Sequence, residues 1–455
     1  MRSLRASRAI QAGAVAMATL GAVTALPTPA SADTGPGWVS GWLGDTSVGT
    51  AGAPARTAAL SISSSTDALH PRTTFDLAGL AGVATATFPD WCVIDANSVT
   101  CPMPPDATTD EWDTVNGTMP IVLRAAPGAA DGASGTISYT TLADGLDGWA
   151  QQATVTVHAG PDAIDLVDRY VDNAGTGDRL AMPVALVSSG DQAVDGLRIT
   201  LRFPVGLEPA AYRNCRYGAG DQLSTVVVCT IGDQLIPGRR YEVPGGFVTT
   251  VGAAAIGDKR IMQSVAPTVT AGPLPTGVTF GKRDADEPLR LRQVGDPMDV
   301  IGPEHQSPSG QYFLRAIHGA YDVVALGAAA TGVPGDTVQV QVGLRNDGPG
   351  VPDGTVSGDS AARLVFTPPA GTAVTRSPSG CWPIGGDEEA TEETVPSGWY
   401  CTRPGGVFPA GETWLLDFDL RVDGPLGAPG EVRRADDYPR VDDNPANDAA
   451  PVTMS

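Results

Sequence analysis

The run Gly335-Asp336-Thr337-Val338-Gln339-Val340-Gln341-Val342-Gly343-Leu344-Arg345-Asn346-Asp347-Gly348-Pro349-Gly350 holds two signals side by side. Val338, Val340, Val342 and Leu344 recur at every second position, the period of a strand with one face in a core. Asn346 to Gly350 then stop the strand, because Asn, Asp, Gly and Pro supply the backbone conformations of turns. The same grammar recurs upstream and downstream. Leu180, Met182, Val184 and Leu186 predict a leading strand that ends at Ser189-Gly190, and Leu197, Ile199, Leu201 and Phe203 alternate with Arg198, Thr200 and Arg202. Trp414, Leu416, Phe418 and Leu420 alternate with Leu415, Asp417, Asp419 and Arg421. Near the start, Phe75, Ile121, Leu123, Ile137, Tyr139, Val155 and Val157 mark further strands. Short strands, turn residues between them and almost no helical period predict an all-β chain of three consecutive immunoglobulin-like β-sandwiches.

Composition agrees with that reading. The 455 residues are 42% hydrophobic, enough to fill real cores, while 56 Gly and 39 Pro exclude long helices and coiled coils. A net charge of −22 leaves no basic footprint for nucleic acid or an anionic membrane surface. Arg2, Arg5 and Arg8, an apolar run from Ala9 to Leu26 and the small residues Ala30-Ser31-Ala32 read as a Sec-type signal peptide, residues 1–32. No later run approaches the ~20 apolar residues of a membrane helix. Leu274-Pro275-Thr276-Gly277 lacks the context of a sortase signal, and the chain closes on Pro451-Val452-Thr453-Met454-Ser455 without a hydrophobic tail. The expected location is extracellular, secreted, with any hold on the cell wall non-covalent.

Six cysteines fall as three close pairs, Cys92 and Cys101, Cys215 and Cys229, Cys381 and Cys401. Six Cys allow fifteen connectivities, but this distribution favours three local bridges, the default for an exported chain. Metal binding is the rival, and it lacks any C-x-x-C and any His near a Cys, the four His being His70, His158, His305 and His318. With one bridge per unit, the expected organisation is a sandwich over 33–161, a second over 162–272, a closing strand and linker over 273–318, and a third sandwich over 319–455.

The third unit also carries Pro369-Ala370-Gly371, its Cys pair, Pro409-Ala410-Gly411 and Asp443-Asn444-Pro445-Ala446-Asn447. With Gly335–Val340 and Arg345–Pro349, these resemble the bacterial surface repeat called domain of unknown function eleven, a relative of the CARDB cell-adhesion-related domains. The likeness covers 319–455, part of 162–272, and 33–160 only by Cys placement and strand rhythm. It implies an immunoglobulin-like module repeated in exported wall or surface proteins, and it implies no catalytic residues.

Motifs for chemistry are scarce. Gly132-Ala133-Ser134-Gly135-Thr136 misses the nucleophile elbow at its fifth position, and no P-loop, zinc-protease helix or dinucleotide turn occurs. A Ser-His-Asp site assembled in space is the remaining route to a secreted hydrolase. The expectation is therefore a non-catalytic structural or adhesion protein without cofactors. Asp442, Asp443, Asn444 and Asp448, with Asp436 and Asp437, form an acidic cluster with the oxygens Ca²⁺ needs. Their spacing is not that of an EF-hand, and acid-rich turns on a solvated sandwich account for them, so no metal is expected. Trp382, Trp399 and Tyr400 frame a loop holding Asp387, Glu388, Glu389, Glu392 and Glu393. Such rings stack on sugars while carboxylates accept from hydroxyls, which makes this loop a candidate ligand-binding site and the third unit the candidate presenting end. Trp91 beside Cys92 repeats the aromatic–cystine pairing and favours a plainer role, a cover over the disulfide. The partners this implies are a cell-wall glycan or a surface protein; oligomeric state is open.

Overall fold

The computed structural model describes residues 37–165, 169–302, 307–356, 358, 360–385, 397–435 and 442–455. The expected leader, His305, the acids from Asp387 to Glu393, Asp436 and Asp437 lie outside the described residues. The chain folds as immunoglobulin-like β-sandwiches, and one strand order occurs three times. In the first, the six-stranded sheet runs Thr46–Gly49, Ala150–His158, Ser134–Leu142, Arg72–Asp76, Ser98–Pro102, Val93–Asp95. In the second it runs Arg169–Asp172, Ser309–Ile317, Gly257–Pro267, Val194–Phe203, Thr225–Leu235, Cys215–Ala219. The third runs Ala328–Ala330, Ala449–Met454, Gly430–Arg434, Arg363–Thr367, Gly398–Thr402, Cys381–Ile384. Each time the first two strands are parallel, joining an early short strand to the last strand of the unit. That pairing covers an edge that would otherwise stay open.

The facing sheet of the first sandwich has the order Val39–Leu43, Ala55–Ser65, Thr114–Ala125, Ala84–Thr87. In the third it is Val323–Leu326, Thr337–Asn346, Thr413–Val422, Thr372–Arg376. Alternation then fills the space between the sheets. Leu60, Ile62, Phe75, Ile121 and Tyr139 share one core, Leu197, Ile199, Phe203 and Phe247 a second, and Val342, Leu344, Phe366 and Phe418 a third.

The second sandwich departs from the expected single leading strand over Leu180 to Leu186. Two strands occur there, Arg179–Met182 and Ala185–Ser188, in separate small sheets. Pro183 lacks the N–H that a ladder needs and breaks the run. The neighbouring strand breaks at the same level, between Arg240–Glu242 and Phe247–Val251. Gly246 there has φ +71°, and a Cβ on it would sit 2.4 Å from the Met182 carbonyl oxygen, so the two interruptions fit only around a glycine.

Residues 273–318 place extended chain first and the sheet strand last. Arg292–Val294 adds to the second sandwich beside Arg240–Glu242. Val300–Ile301 then leaves it and pairs in parallel with Ala55 and Arg56 of the first sandwich. Gly281 makes an isolated bridge to Tyr217 at the edge of the six-stranded sheet, and Ser309–Ile317 joins that sheet as a strand beside Gly257–Pro267.

All three disulfides form as Cys92–Cys101, Cys215–Cys229 and Cys381–Cys401, and each staples the outermost hairpin of a six-stranded sheet. Peptide mapping without reductant should recover these three pairs and no bridge between sandwiches. Replacing Cys215 and Cys229 by Ala should leave the strands in place and lower stability by about 3 kcal/mol, the chain-entropy value for a loop of this size, read as a fall in the denaturation midpoint.

Candidate functional site

The aromatic hairpin of the third sandwich is built by strands Cys381–Ile384 and Gly398–Thr402, with Trp382 opposite Tyr400 and Pro383 opposite Trp399. Neighbours along a strand face opposite ways, so this register separates the two tryptophans. Trp399 turns inward and meets Phe418 edge-on, with ring centres 6.3 Å apart, packed against the third core. Trp382 is 54% exposed and shares the outer face with Tyr400. Of the three aromatics singled out in the sequence, one plugs the sandwich and two remain on the surface; Glu388 and Glu389 fall in the part not described.

The C-terminal acids have partners within the fold. Asp442 Oδ2 accepts from the Val323 N–H at 3.0 Å, and Asp443 Oδ2 from the Tyr321 N–H at 3.1 Å. Asp448 pairs with the Arg434 guanidinium at 3.2 Å, with Asp442 3.6 Å from the same group. Burial holds the Asp442 carboxyl above the usual carboxylate range, with the backbone donors of Asn444 and Val323 pulling the other way. Asn444 donates its N–H to Asp442 Oδ1. These oxygens tie the chain before the last strand onto the first strand of the third sandwich. Among the described residues no group of three or more His, Cys, Asp and Glu is arranged to hold a metal.

Histidines do not assemble a catalytic triad among the described residues. His70 Nδ1 lies 2.8 Å from Asp144 on an exposed surface, and His158 lies 3.7 Å from Asp131. His318 takes part in a backbone bridge with Gly175.

The most unusual chemistry sits at the junction of the second and third sandwiches, which sequence reading missed. Lys259 faces inward from the strand Gly257–Pro267 and is fully buried. Its ammonium donates to Asp353 Oδ2 and to the Val351 carbonyl, both at 3.3 Å, and both acceptors belong to the third sandwich. Asp353 is 2% exposed and also accepts from the Thr355 N–H at 3.0 Å. Burial pushes the Lys259 ammonium below its usual range, and the Asp353 charge opposes that shift. Beside the pair, Ala255 bridges Val351 in parallel, and Ile256 packs within the third core. The hairpin tip at Gln222, held at φ +49°, reaches the same loop; a Cβ on Gly406 would sit 3.1 Å from the Gln222 amide. An open hollow of about 150 Å³ lined by Arg202, Asp221, Arg260, Asp353 and Thr355 adjoins the pair. Nothing in the residue spacing announces this contact, since the partners lie 94 positions apart; the signal available was that Lys259 and Lys282 are the only lysines.

The first junction repeats the device. Arg56 is buried with its guanidinium 3.8 Å from Asp162, beside the Val300–Ile301 pairing, and Thr50 donates its hydroxyl to Asp191 across the boundary. Ile301, Ile164 and Val187 form a small apolar cluster under it.

No protein-family model matches the chain, and no curated protein matches it. Among solved structures it is similar to a complex of Dpr2 Ig1-Ig2 with DIP-Theta Ig1-Ig3, at 9% identity over 92% of this chain and 98% of that one, with a TM-score of 0.23. It is similar to the Escherichia coli adhesin FdeC at 15% identity over 92% and 96%, TM-score 0.19. A putative membrane anchored protein from Corynebacterium diphtheriae aligns at 9% identity over 91% of both chains, TM-score 0.16. At these scores the likenesses carry no weight; the strand pairing above defines the fold. No helix among the described residues is long and apolar enough to cross a membrane.

Breaking the buried pair has a definite expected cost. Lys259→Met strands the Asp353 carboxylate and should destabilise by about 3–5 kcal/mol, whereas Lys259→Met with Asp353→Leu should recover most of that loss. Chemical denaturation of the two variants reads the difference directly. Chelation should leave the wild-type melting temperature unchanged, while Asp442→Ala should lower it whether or not Ca²⁺ is present.

Proposed function

We propose that this chain is an exported, non-catalytic structural or adhesion protein whose three immunoglobulin-like sandwiches are held in series as a stiff spacer. The observation that supports this best is the closure of both junctions. Each combines main-chain pairing between sandwiches with a buried cation facing a carboxylate, Lys259 with Asp353 and Arg56 with Asp162. Freely jointed modules need neither feature, since relative motion is the default between domains of one chain unless their contacts fix one geometry. Stapled edge hairpins suit an oxidising space outside the cell. The resemblance of residues 319–455 to exported surface repeats points the same way, and the N-terminal leader read from the sequence supplies the route. A second reading, glycan binding by the third sandwich, rests on exposed Trp382 beside Tyr400.

Fractionating a culture into medium, wall and membrane, with N-terminal sequencing of the recovered chain, tests the location. The mature protein should begin at Asp33 and appear in medium or wall; retention in the cytoplasm with residues 1–32 intact would remove the basis of the proposal. Small-angle scattering tests the stiffness. Ile301→Asp, placed in the strand that bridges the first junction, should broaden the distance distribution of the secreted chain, with each sandwich still folded by circular dichroism.

A further inference from the structure

The exposed tryptophans concentrate on the first sandwich. Trp38 is 46% exposed and Trp42 is 65% exposed. Both flank or lie in the edge strand Val39–Leu43, four positions apart, and so face the same outward side of its sheet, with Ser40 between them. The register continues the row across the sheet: Trp42 lies opposite Ser61, Ser40 opposite Ser63, and Ser63 opposite Asn116. Trp38 is fixed at the end of the strand by its N–H to the Ser65 hydroxyl at 3.1 Å and its carbonyl to the Ser65 N–H at 3.0 Å.

The polar side chains beside the rings are tied to one another. Ser63 donates to Asn116 Oδ1 at 2.7 Å, and the Asn116 amide donates to Asp110 Oδ2 at 3.1 Å. Asp110 in turn accepts from the N–H groups of Trp112 and Thr114, and these donors, the Thr114 N–H first, hold its carboxyl below the usual range. The Trp42 ring lies over Gly44, where a Cβ would sit 3.1 Å from its Cη2. Strand rise sets the Trp38–Trp42 spacing at about 13 Å.

We propose that this outer face binds a neutral polysaccharide. Indole is largely buried in most folds because its apolar area is large, so two exposed rings in register call for a flat apolar partner. The C–H face of a pyranose ring is such a surface. Its hydroxyls find Ser40 between the two rings and Ser61, Ser63 and Asn116 on the adjoining strands, groups that both donate and accept. Charge disfavours an anionic ligand: the rows from Trp38 to Trp42, Ser61 to Ser65 and Thr114 to Thr118 carry no ionised side chain, and the charge that ends the polar row, Asp110, is a carboxylate. An anionic membrane or nucleic acid would meet no cation here. A second copy would meet two isolated rings set among hydroxyls, not the continuous apolar core of a stable dimer. The site adds to the spacer reading without resting on it, because scattering reads the junctions and the following assay reads the face.

Co-sedimentation of the mature chain with microcrystalline cellulose, chitin particles and insoluble mannan tests it. Wild type should be retained by at least one of the three, and Trp38→Ala with Trp42→Ala should cut the retained fraction at least tenfold. Trp149→Ala, an 84% exposed indole in the loop before the strand Ala150–His158, should bind as wild type does. Circular dichroism of each variant confirms that the sandwich persists. Absence of wild-type retention on all three glycans overturns the proposal, as does retention of the double variant or equal loss with Trp149→Ala. A wild-type dimer that the double variant turns into a monomer on size exclusion would assign the face to self-association instead.

Discussion

The buried Lys259 ammonium has to find its counter-charge outside its own sandwich. Desolvation makes an unpaired ammonium there very costly, and the strand that carries it offers no acid of its own at that position. Asp353 and the Val351 carbonyl supply the compensation from the third sandwich. A contact of this kind is a poor source of net stability, because removing two charges from water nearly cancels their attraction. Its effect is selective: the interface has one register in which both groups are satisfied, and any rotation of one sandwich on the other leaves a charge stranded. Ile256 in the third core and the Ala255–Val351 bridge are positioned by the same register.

The strand grammar was legible because it depends on local chemistry. Val338 to Leu344 alternate and form part of Thr337–Asn346, and the cystines pair as neighbours because each staples a hairpin. Legibility failed where long-range pairing decides. The periodicity from Leu180 to Leu186 is intact, yet Pro183 denies the ladder one donor and Gly246 lets the neighbouring strand break beside it. Val300–Ile301 shows no signal of its own, since two residues paired across a domain boundary leave no period to read. The junction was invisible for the same reason.

The candidate sites show a related limit. Trp382 and Trp399 look equivalent in the sequence, and only the register of their hairpin sends one inward and the other out. Trp38-Val39-Ser40-Gly41-Trp42-Leu43 did carry a readable signal, with Trp and Ser on one parity and Val, Gly and Leu on the other. Its position just after the expected leader hides it, because a strand is recognised by its apolar parity and here the largest apolar groups sit on the wet one. The acids near the C-terminus look like a cation site by composition, and their oxygens instead cap the N–H groups of Tyr321 and Val323. Composition identifies the donor set and geometry decides what it serves.

The stiff array and the binding face proposed for its first module fit one physical picture. Ala55, at one end of the strand Ala55–Ser65, meets the second sandwich through Val300, while Ser65 at the other end holds Trp38. The ring-bearing surface therefore extends away from the first junction. Rigid junctions lower the entropy lost when a module engages a fixed surface. Spin labels on exposed positions of the second and third sandwiches, Arg216 and Glu431, measure the central claim most directly by dipolar distance spectroscopy. A single narrow distance that broadens in Lys259→Met is the predicted result; a broad distribution already present in the wild type would contradict the account.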